Sequence, residues 1–384
     1  MTRAARDQIY QRALHPTRSP KTARTSTAIT FTLTLSLVIG FVLLPLLRPA
    51  WLPALHTVPT GGTKANSALA AAFIAAIALH EFGHLTAAIA VKFEILGIAL
   101  GPFRFARLYG ESTVSFRVKS LLGGSISAVP LNERNWRPRI LAVIAAGPIA
   151  TFLTAAIALA VVSRLQPASW ASHFFAVLAE LSLLIFLLGL IPNGQYTRIR
   201  NDAQLFWSVL GNSTEAHAIR LYHRLMRVYI DGMRPRDYPP ELVEEMSGYQ
   251  GRPDLSLAFA AALTKWATDC GDFAMANAWQ QNAVRLLPAS GSSQRNFASA
   301  EWACFALLFT DDLACARRVF SEVRPQEIAP SWRHHRILAA KYVAEGNAAA
   351  ACREIENALL CLPRKIPSSQ FERDLLHRLA ARLT

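Results

Sequence analysis

The chain has 384 residues, of which 52% are hydrophobic and 17% are charged, and its mean hydropathy is +0.24. Because soluble proteins are about a quarter charged, this composition argues against disorder and indicates a membrane protein. The formal net charge of +14 is compatible with nucleic acid, an anionic membrane surface or an acidic protein as partner.

The positive charge lies almost entirely in the first half of the chain. Residues 1–210 carry a net charge of +12, with 19 Lys or Arg against 7 Asp or Glu, whereas residues 211–384 carry +2, with 21 against 19. We expect no nucleic-acid partner, because the second half lacks a basic excess. We expect the basic residues of the first half to set the membrane topology and to contact anionic lipid.

Four apolar segments are each long enough to cross a hydrocarbon core of about 30 Å as a helix. They cover about residues 24–46, 66–92, 139–163 and 170–192. A cleaved signal peptide is the alternative for the first segment, but its apolar run is too long and no small-residue cleavage site follows closely.

Lysine and arginine are concentrated in the N-terminal arm and in the segment that joins the second and third spans, and they are scarce in the other two loops. Because such residues favour the cytoplasmic side, both termini are predicted to be cytoplasmic. We expect a multi-pass protein of the cell's inner (plasma) membrane.

The second span contains the sequence His80-Glu81-Phe82-Gly83-His84. Residues i and i+4 share a helix face, so both imidazoles can reach one zinc ion, and the glutamate can act as general base toward water on the metal. The alternative is a polar patch that holds helices together. Ionisable groups within a membrane helix cost about 2.5–3.5 kcal/mol at mid-helix, which favours the metal site.

Two short β-rich runs follow that span, at residues 103–108 and 113–118, with a turn predicted at 109–112. Another short strand is predicted at 125–129. The hairpin is either a soluble one or one that dips into the membrane beside the metal motif, and the sequence leaves both possibilities open.

A catalytic zinc requires a third protein ligand and an open position. Asp202, just after the fourth span, lies on the same predicted side as His80 and His84 and is our candidate. The alternative is an acid or cap at the start of the next helix. Glu180, within the fourth span, is predicted to be a helix-packing or cavity residue.

The arrangement resembles the site-2 protease family of intramembrane zinc metalloproteases over about residues 66–210. The resemblance rests on the histidine motif, on Gly147-Pro148 in the third span, and on the stretch from Gly189 to Pro192 that leads to Asp202. It implies Zn²⁺ as cofactor and His80, His84 and Asp202 as ligands. It further implies that Glu81 activates water to cleave a transmembrane protein substrate near the cytoplasmic side, as in regulated intramembrane proteolysis.

Three positions depart from the family pattern. Thr151 and Gly189 stand where the family commonly has Asn, and Ala203 stands where Gly commonly follows the ligand Asp. A catalytically inactive membrane scaffold of the same fold is therefore the alternative to a protease. A transporter is less well supported, because four spans show no evident inverted repeat.

The second half reads as a soluble helical domain. Gly271 and Gly346, like Pro288 and Pro363, are 75 residues apart, and a weaker middle copy begins near Asp311. This spacing resembles the tetratricopeptide repeat over about residues 255–363, which implies a cytoplasmic protein partner held by the repeats. A generic α-helical bundle is the alternative, and the five cysteines, all in this half, are predicted to be buried reduced thiols.

The predicted fold class is mainly α: a polytopic core of about four transmembrane helices with a short β-rich segment, followed by a soluble helical repeat domain. The predicted domains are a basic cytoplasmic arm (1–23), a membrane-embedded metalloprotease domain (24–210), a helical connector (211–254) and a tetratricopeptide-like domain (255–384).

Overall fold

The computed structural model describes residues 1–14, 63–108, 111–116, 123–166, 169–191, 201–287, 292–325, 331–363 and 366–383. The chain divides into two compact units. The membrane unit is Lys21–His217, and the helical unit is Met1–Pro20 together with Ala218–Thr384. The first helix, α1 (Arg3–Leu14), belongs to the helical unit. The first predicted span, residues 24–46, lies outside the described residues and stays a prediction.

The described part of the membrane unit contains three helices that are long and apolar enough to cross a membrane. They are α2 (Thr63–Ala90), α3 (Trp136–Val162) and α4 (Trp170–Leu190), close to the second, third and fourth predicted spans. Their outer surface is apolar: Ile74, Ile89 and Ile157 are 60–62% exposed. Such side chains suit contact with lipid rather than with water.

Small residues allow these three helices to approach one another closely. Ala72 and Ala76 of α2 pack with Ala158 of α3 and with Ala179 of α4. Without a hydrophobic driving force inside lipid, helix association depends on this kind of close packing. At one end, the indole of Trp170 donates a hydrogen bond to Ser67 Oγ at 3.1 Å.

A four-stranded antiparallel sheet connects α2 to α3. Its strands are β1 (Phe93–Leu100), β2 (Phe103–Leu108), β3 (Glu111–Phe116) and β4 (Gly124–Pro130), in the order β3-β2-β1-β4. The hairpin and the short strand after it agree with the predictions, although the second run begins at Glu111 rather than residue 113. Strand β1 is not evident from the sequence, because a register shift between Ile95 and Gly97 interrupts the two-residue period.

Arg139, at the start of α3, ties the end of α2 to the sheet. Its guanidinium donates hydrogen bonds to the carbonyl oxygens of Val91 and Lys92 at 2.7 and 2.8 Å, and to Asn132 Oδ1 at 3.0 Å. Lys92 has a left-handed backbone (φ 60°) that ends the helix. The arginine thus satisfies carbonyl groups that a helix C-terminus leaves without intrahelical partners.

The helical unit follows. After α5 (Asp202–Leu210) of the membrane unit come α6 (Thr214–Ile230), α7 (Pro240–Gly248), α8 (Pro253–Asp269), α9 (Phe273–Leu286), α10 (Ser292–Phe309), α11 (Leu313–Glu322), α12 (Trp332–Glu345), α13 (Ala348–Cys361) and α14 (Ser368–Ala380). The pairs α8–α9, α10–α11 and α12–α13 are helical hairpins.

The three hairpins share one kind of turn. The first and third turns place Gly271 and Gly346 in the left-handed region (φ 78°), and the middle turn places Asp311 there (φ 55°). In each turn the next residue caps the second helix; Asp272 Oδ1, for example, accepts from Met275 N at 3.0 Å. The two glycines 75 residues apart therefore mark the first and third hairpins. The tetratricopeptide assignment itself stays a prediction.

The cysteines correct one expectation. Cys304 is buried, but Cys352 and Cys361 are exposed, and all five are free. The two exposed thiols lie on the outer side of the amphipathic helix α13, whose other face carries its buried residues.

Candidate metal centre

His80 and His84 lie one turn apart on α2, in its C-terminal half. Their ring centroids are 4.8 Å apart and their planes are nearly perpendicular. The two Nε2 atoms are separated by 3.2 Å. The spacing that the sequence suggested therefore brings both imidazole nitrogens to one point.

Asp202, the first residue of α5, completes the group. Its Oδ2 atom lies 3.1 Å from His80 Nε2 and 3.3 Å from His84 Nε2. Within the described residues, these three form a cluster able to hold a metal ion. The three ligands proposed from the sequence, which are up to 122 positions apart in the chain, thus meet.

The distances suit a zinc ion. Ligand atoms placed about 2.0–2.1 Å from zinc at tetrahedral angles lie about 3.3–3.4 Å from one another. The three observed separations, 3.1 to 3.3 Å, are close to those tetrahedral edges. Two imidazoles and one carboxylate also leave a fourth position open, as a catalytic site requires.

The hydrogen bonds of the imidazoles define their tautomers. His84 Nδ1 lies 2.7 Å from the carbonyl oxygen of Val143, which can only accept, so this nitrogen carries the proton. His80 Nδ1 lies 2.7 Å from Thr151 Oγ1, and that hydroxyl donates to the carbonyl oxygen of Gly147 at 2.8 Å. The hydroxyl must then accept from His80. In the neutral imidazoles both Nε2 lone pairs therefore face the carboxylate, an arrangement of three electron donors that a cation stabilises.

Thr151 is the residue whose role the sequence analysis did not foresee. It was noted only as a departure from the family's Asn, yet its side chain is completely buried and holds His80. The signal available was its position, four residues after Gly147, whose carbonyl oxygen it engages.

Asn201 positions the helix that carries Asp202. Its Oδ1 accepts from Gln204 N at 3.1 Å, and its amide donates to the carbonyl oxygens of Leu188 and Ile191. The N-cap that the sequence offered as the alternative role of Asp202 is therefore filled by Asn201. At the other end of α5, Arg137 donates to the carbonyl oxygens of Val209 and Leu210 at 3.0 and 2.8 Å.

Asp202 is held in its charged form. Burial alone would raise the pKa of its carboxyl group, but without a metal the two imidazoles, when protonated on Nε2, donate to the carboxylate, outweigh burial and lower that pKa to about 2. A metal ligand must be deprotonated, and this carboxylate is ionised at neutral pH.

Glu81, between the two histidines in the chain, lies beside the sheet. A methyl group placed on Gly124, the first residue of β4, would come within 2.5 Å of Glu81 Oε1. A methyl group on Gly147 would come within 2.2 Å of His84 Nε2. Glycine at both positions therefore provides the space that the motif's side chains occupy.

The remaining predicted positions lie outside the ligand group. Glu180 is partly buried in α4 and is not part of the cluster. A side chain at Gly189 would meet nothing within 4 Å, and Ala203 is buried in α5. Residues 192–200, which contain Pro192 of the family stretch, lie outside the described residues.

Residues 68–219 match the model of Peptidase family M50, the site-2 protease family. The matched segment contains the three candidate ligands and covers less than half of the chain. The members of Peptidase family M50 are zinc metalloproteases in general. Together with the three apolar helices, the match suggests a membrane metalloprotease. No curated protein and no solved structure matches the chain.

Proposed function

We propose that this protein is an intramembrane zinc metalloendopeptidase that hydrolyses peptide bonds of membrane-spanning substrates in regulated intramembrane proteolysis. The observation that carries the proposal is the meeting of His80 and His84, on an apolar candidate span, with Asp202 at tetrahedral spacing, with Glu81 next to the first ligand. Structural roles for such a group are poorly supported, because polar side chains inside a membrane are costly.

The side chains have separate tasks. Zinc, when bound by His80, His84 and Asp202, supplies a Lewis acid. The Glu81 carboxylate accepts a proton from water as the water oxygen bonds to the scissile carbonyl carbon. When the carbon–nitrogen bond breaks, Glu81 returns that proton to the leaving amine. Thr151 keeps the proton of His80 on Nδ1 throughout.

The sheet offers a place for an extended substrate segment. Among the described strands β4 pairs only with β1, so its outer edge presents backbone groups, and Gly124 at its start lies against Glu81. A segment of substrate added to this edge would gain main-chain hydrogen bonds and would pass the carboxylate. We propose that β4 presents the scissile bond.

The sequence leaves open whether the hairpin β2–β3 is soluble or dips into the membrane, and the side chains of the hairpin favour one of the two. Phe103 pairs with Phe116 and Phe105 with Val114, so the four side chains share one face. That face is exposed, with Val114 77% and Phe116 60% accessible. Because an apolar patch of this kind favours lipid over water, we propose that the hairpin dips into the membrane beside the metal centre.

The inactive scaffold remains the competing function. One observation argues against it: the hydroxyl of Thr151, which replaces the family's Asn, accepts a hydrogen bond from the candidate ligand His80. The roles of Gly189 and Ala203 find no comparable explanation.

Whether the protein is a protease or a scaffold, we propose that both termini are cytoplasmic and that the helical unit holds a cytoplasmic protein partner.

The test uses the full chain purified into lipid nanodiscs. We expect about one zinc per chain by elemental analysis, and cleavage of candidate single-span substrates that Glu81→Ala abolishes. Glu180→Gln is the matched control, since it removes another acid of the membrane helices that lies outside the cluster. Absence of zinc, or cleavage that persists in Glu81→Ala, would leave the scaffold as the better account.

A further inference from the structure

The helical unit contains a half-enclosed cavity of about 280 Å³. Helices α6, α8, α10, α12 and α14 supply most of its wall. Its volume is at the lower end of the pockets of about 300–1,000 Å³ that hold small molecules. Nothing in the chemistry proposed for the metal centre uses it.

Most of the wall is apolar and partly aromatic. Leu225 and Leu257 face the cavity from α6 and α8, and Phe305 and Phe309 face it from α10, with their ring centroids 5.2 Å apart. Ala261, also on α8, leaves room where a larger side chain would project. These residues provide a surface for an aryl or short alkyl group.

The polar part of the wall includes members of a buried cluster of charged side chains. Arg336, 1% exposed, pairs with Glu301 at 2.5 Å and with Glu372 at 3.0 Å. Glu301 is itself on the cavity wall. Both acids of this cluster are therefore already paired with a buried guanidinium, and although burial would raise the pKa of Glu301, Arg336 and the other cations near it outweigh burial and lower that pKa.

Lys265 is a cation on the wall that lies beyond ion-pair distance of these acids, although Glu301 and Glu372 are near enough to attract it. The other acid lining the cavity, Asp254, pairs with Arg252 at 2.5 Å, and no described acid forms an ion pair with Lys265. Burial lowers the pKa of Lys265, as expected of an ammonium that has lost water.

We infer that this cavity is a binding site for a small amphipathic carboxylate, with the anionic group at Lys265 and the apolar body against Phe305 and Phe309. A carboxylate placed there would form a charge-assisted hydrogen bond with the ammonium, which has no described acid within ion-pair distance. The apolar body covers the aromatic wall. The site is independent of the proposed peptidase chemistry.

The test measures binding of 4-phenylbutyrate to the full chain in nanodiscs by calorimetry, with 4-phenylbutanol as the uncharged analogue. We expect the acid to bind at least tenfold more tightly than the alcohol. In Lys265→Met we expect this preference to disappear, whereas Lys341→Met should keep it, because Lys341 lies on the surface and pairs with Glu345.

A second variant keeps every charge and removes the space. Ala261→Leu, one turn before Lys265, should weaken binding of both the acid and the alcohol at least tenfold, and it decides the matter if Lys265→Met fails to fold. Equal affinity for acid and alcohol in the wild type, no binding of the acid at millimolar concentration, or unchanged binding in Ala261→Leu would overturn the inference.

Discussion

The hydroxyl oxygen of Thr151 lies 2.7 Å from Nδ1 of His80 and accepts a hydrogen bond from it, because the hydroxyl donates its own hydrogen to the carbonyl oxygen of Gly147. Through this contact a residue of α3 orients a candidate metal ligand of α2. The first prediction follows from it.

Thr151→Val keeps the shape of the side chain but removes the acceptor for His80. Partners of ligand imidazoles typically change metal affinity by 10–100-fold, so we expect zinc affinity to fall by about that factor. Thr154→Val is the matched control, since the Thr154 hydroxyl only donates to Ala150 of its own helix. Competition with a chelator measures both. Equal losses in the two variants would contradict the role of Thr151, and Thr151→Ser should restore affinity.

Asn201→Ala removes the cap of α5 and the amide that holds this helix to the end of α4. Loss of the cap costs about 1 kcal/mol. Because Asp202 is the next residue, we expect zinc affinity to fall about tenfold, measured by the same competition. Asn201→Asp keeps the capping oxygen and loses only the donor, so its affinity should lie between those of wild type and Asn201→Ala. Wild-type affinity in both variants would show that Asp202 needs no such support.

Gly124→Ala places a methyl group against Glu81 Oε1 and must displace that carboxylate or β4. We expect cleavage to fall at least tenfold while zinc content stays near that of wild type, since the ligands are untouched. Gly123→Ala is the control, because a methyl group there meets nothing within 4 Å. Rates of substrate cleavage and zinc content decide the question. Equal activity of the two variants would exclude a role for Gly124.

Glu301→Gln tests how much the buried ion pair between Glu301 and Arg336 contributes to the stability of the helical unit. Removing one partner of a buried ion pair typically costs about 3–5 kcal/mol, because the other charge stays buried. We expect a loss of that order in the free energy of unfolding, measured with denaturant. The pair of Lys341 and Glu345, which is far more exposed than that of Arg336 and Glu301, provides the control, since Lys341→Ala should cost less than about 1 kcal/mol.

The same pair predicts a pH dependence. Burial would raise the pKa of Glu301, but Arg336 and its other basic neighbours outweigh burial and lower that pKa to about 2. A carboxyl group whose pKa is lowered on folding contributes stability above its unfolded value of about 4.5, and that stability is lost as the pH falls toward 2. The free energy of unfolding of the wild type should fall as the pH is lowered across this range. In Glu301→Gln it should change less with pH.

The sequence by itself determined the features that depend on local periodicity. Three apolar stretches predict the three described candidate spans, because about twenty apolar residues suffice to cross a bilayer. His80 and His84 share a helix face for the same reason, since four residues make about one turn. The hairpin strands follow from their β-rich composition and a turn between them.

Only the tertiary structure decided what distant segments do to one another. β1 went unpredicted because its place in the sheet depends on pairing with strands on both sides and includes a bulge. The tasks of Thr151 and Asn201 depend on helices meeting at particular atoms, which no spacing along one helix encodes. The cavity beside Lys265 likewise exists only where six helices converge. Local patterns specify which elements form, whereas contacts between them specify the hydrogen-bond partner of each side chain.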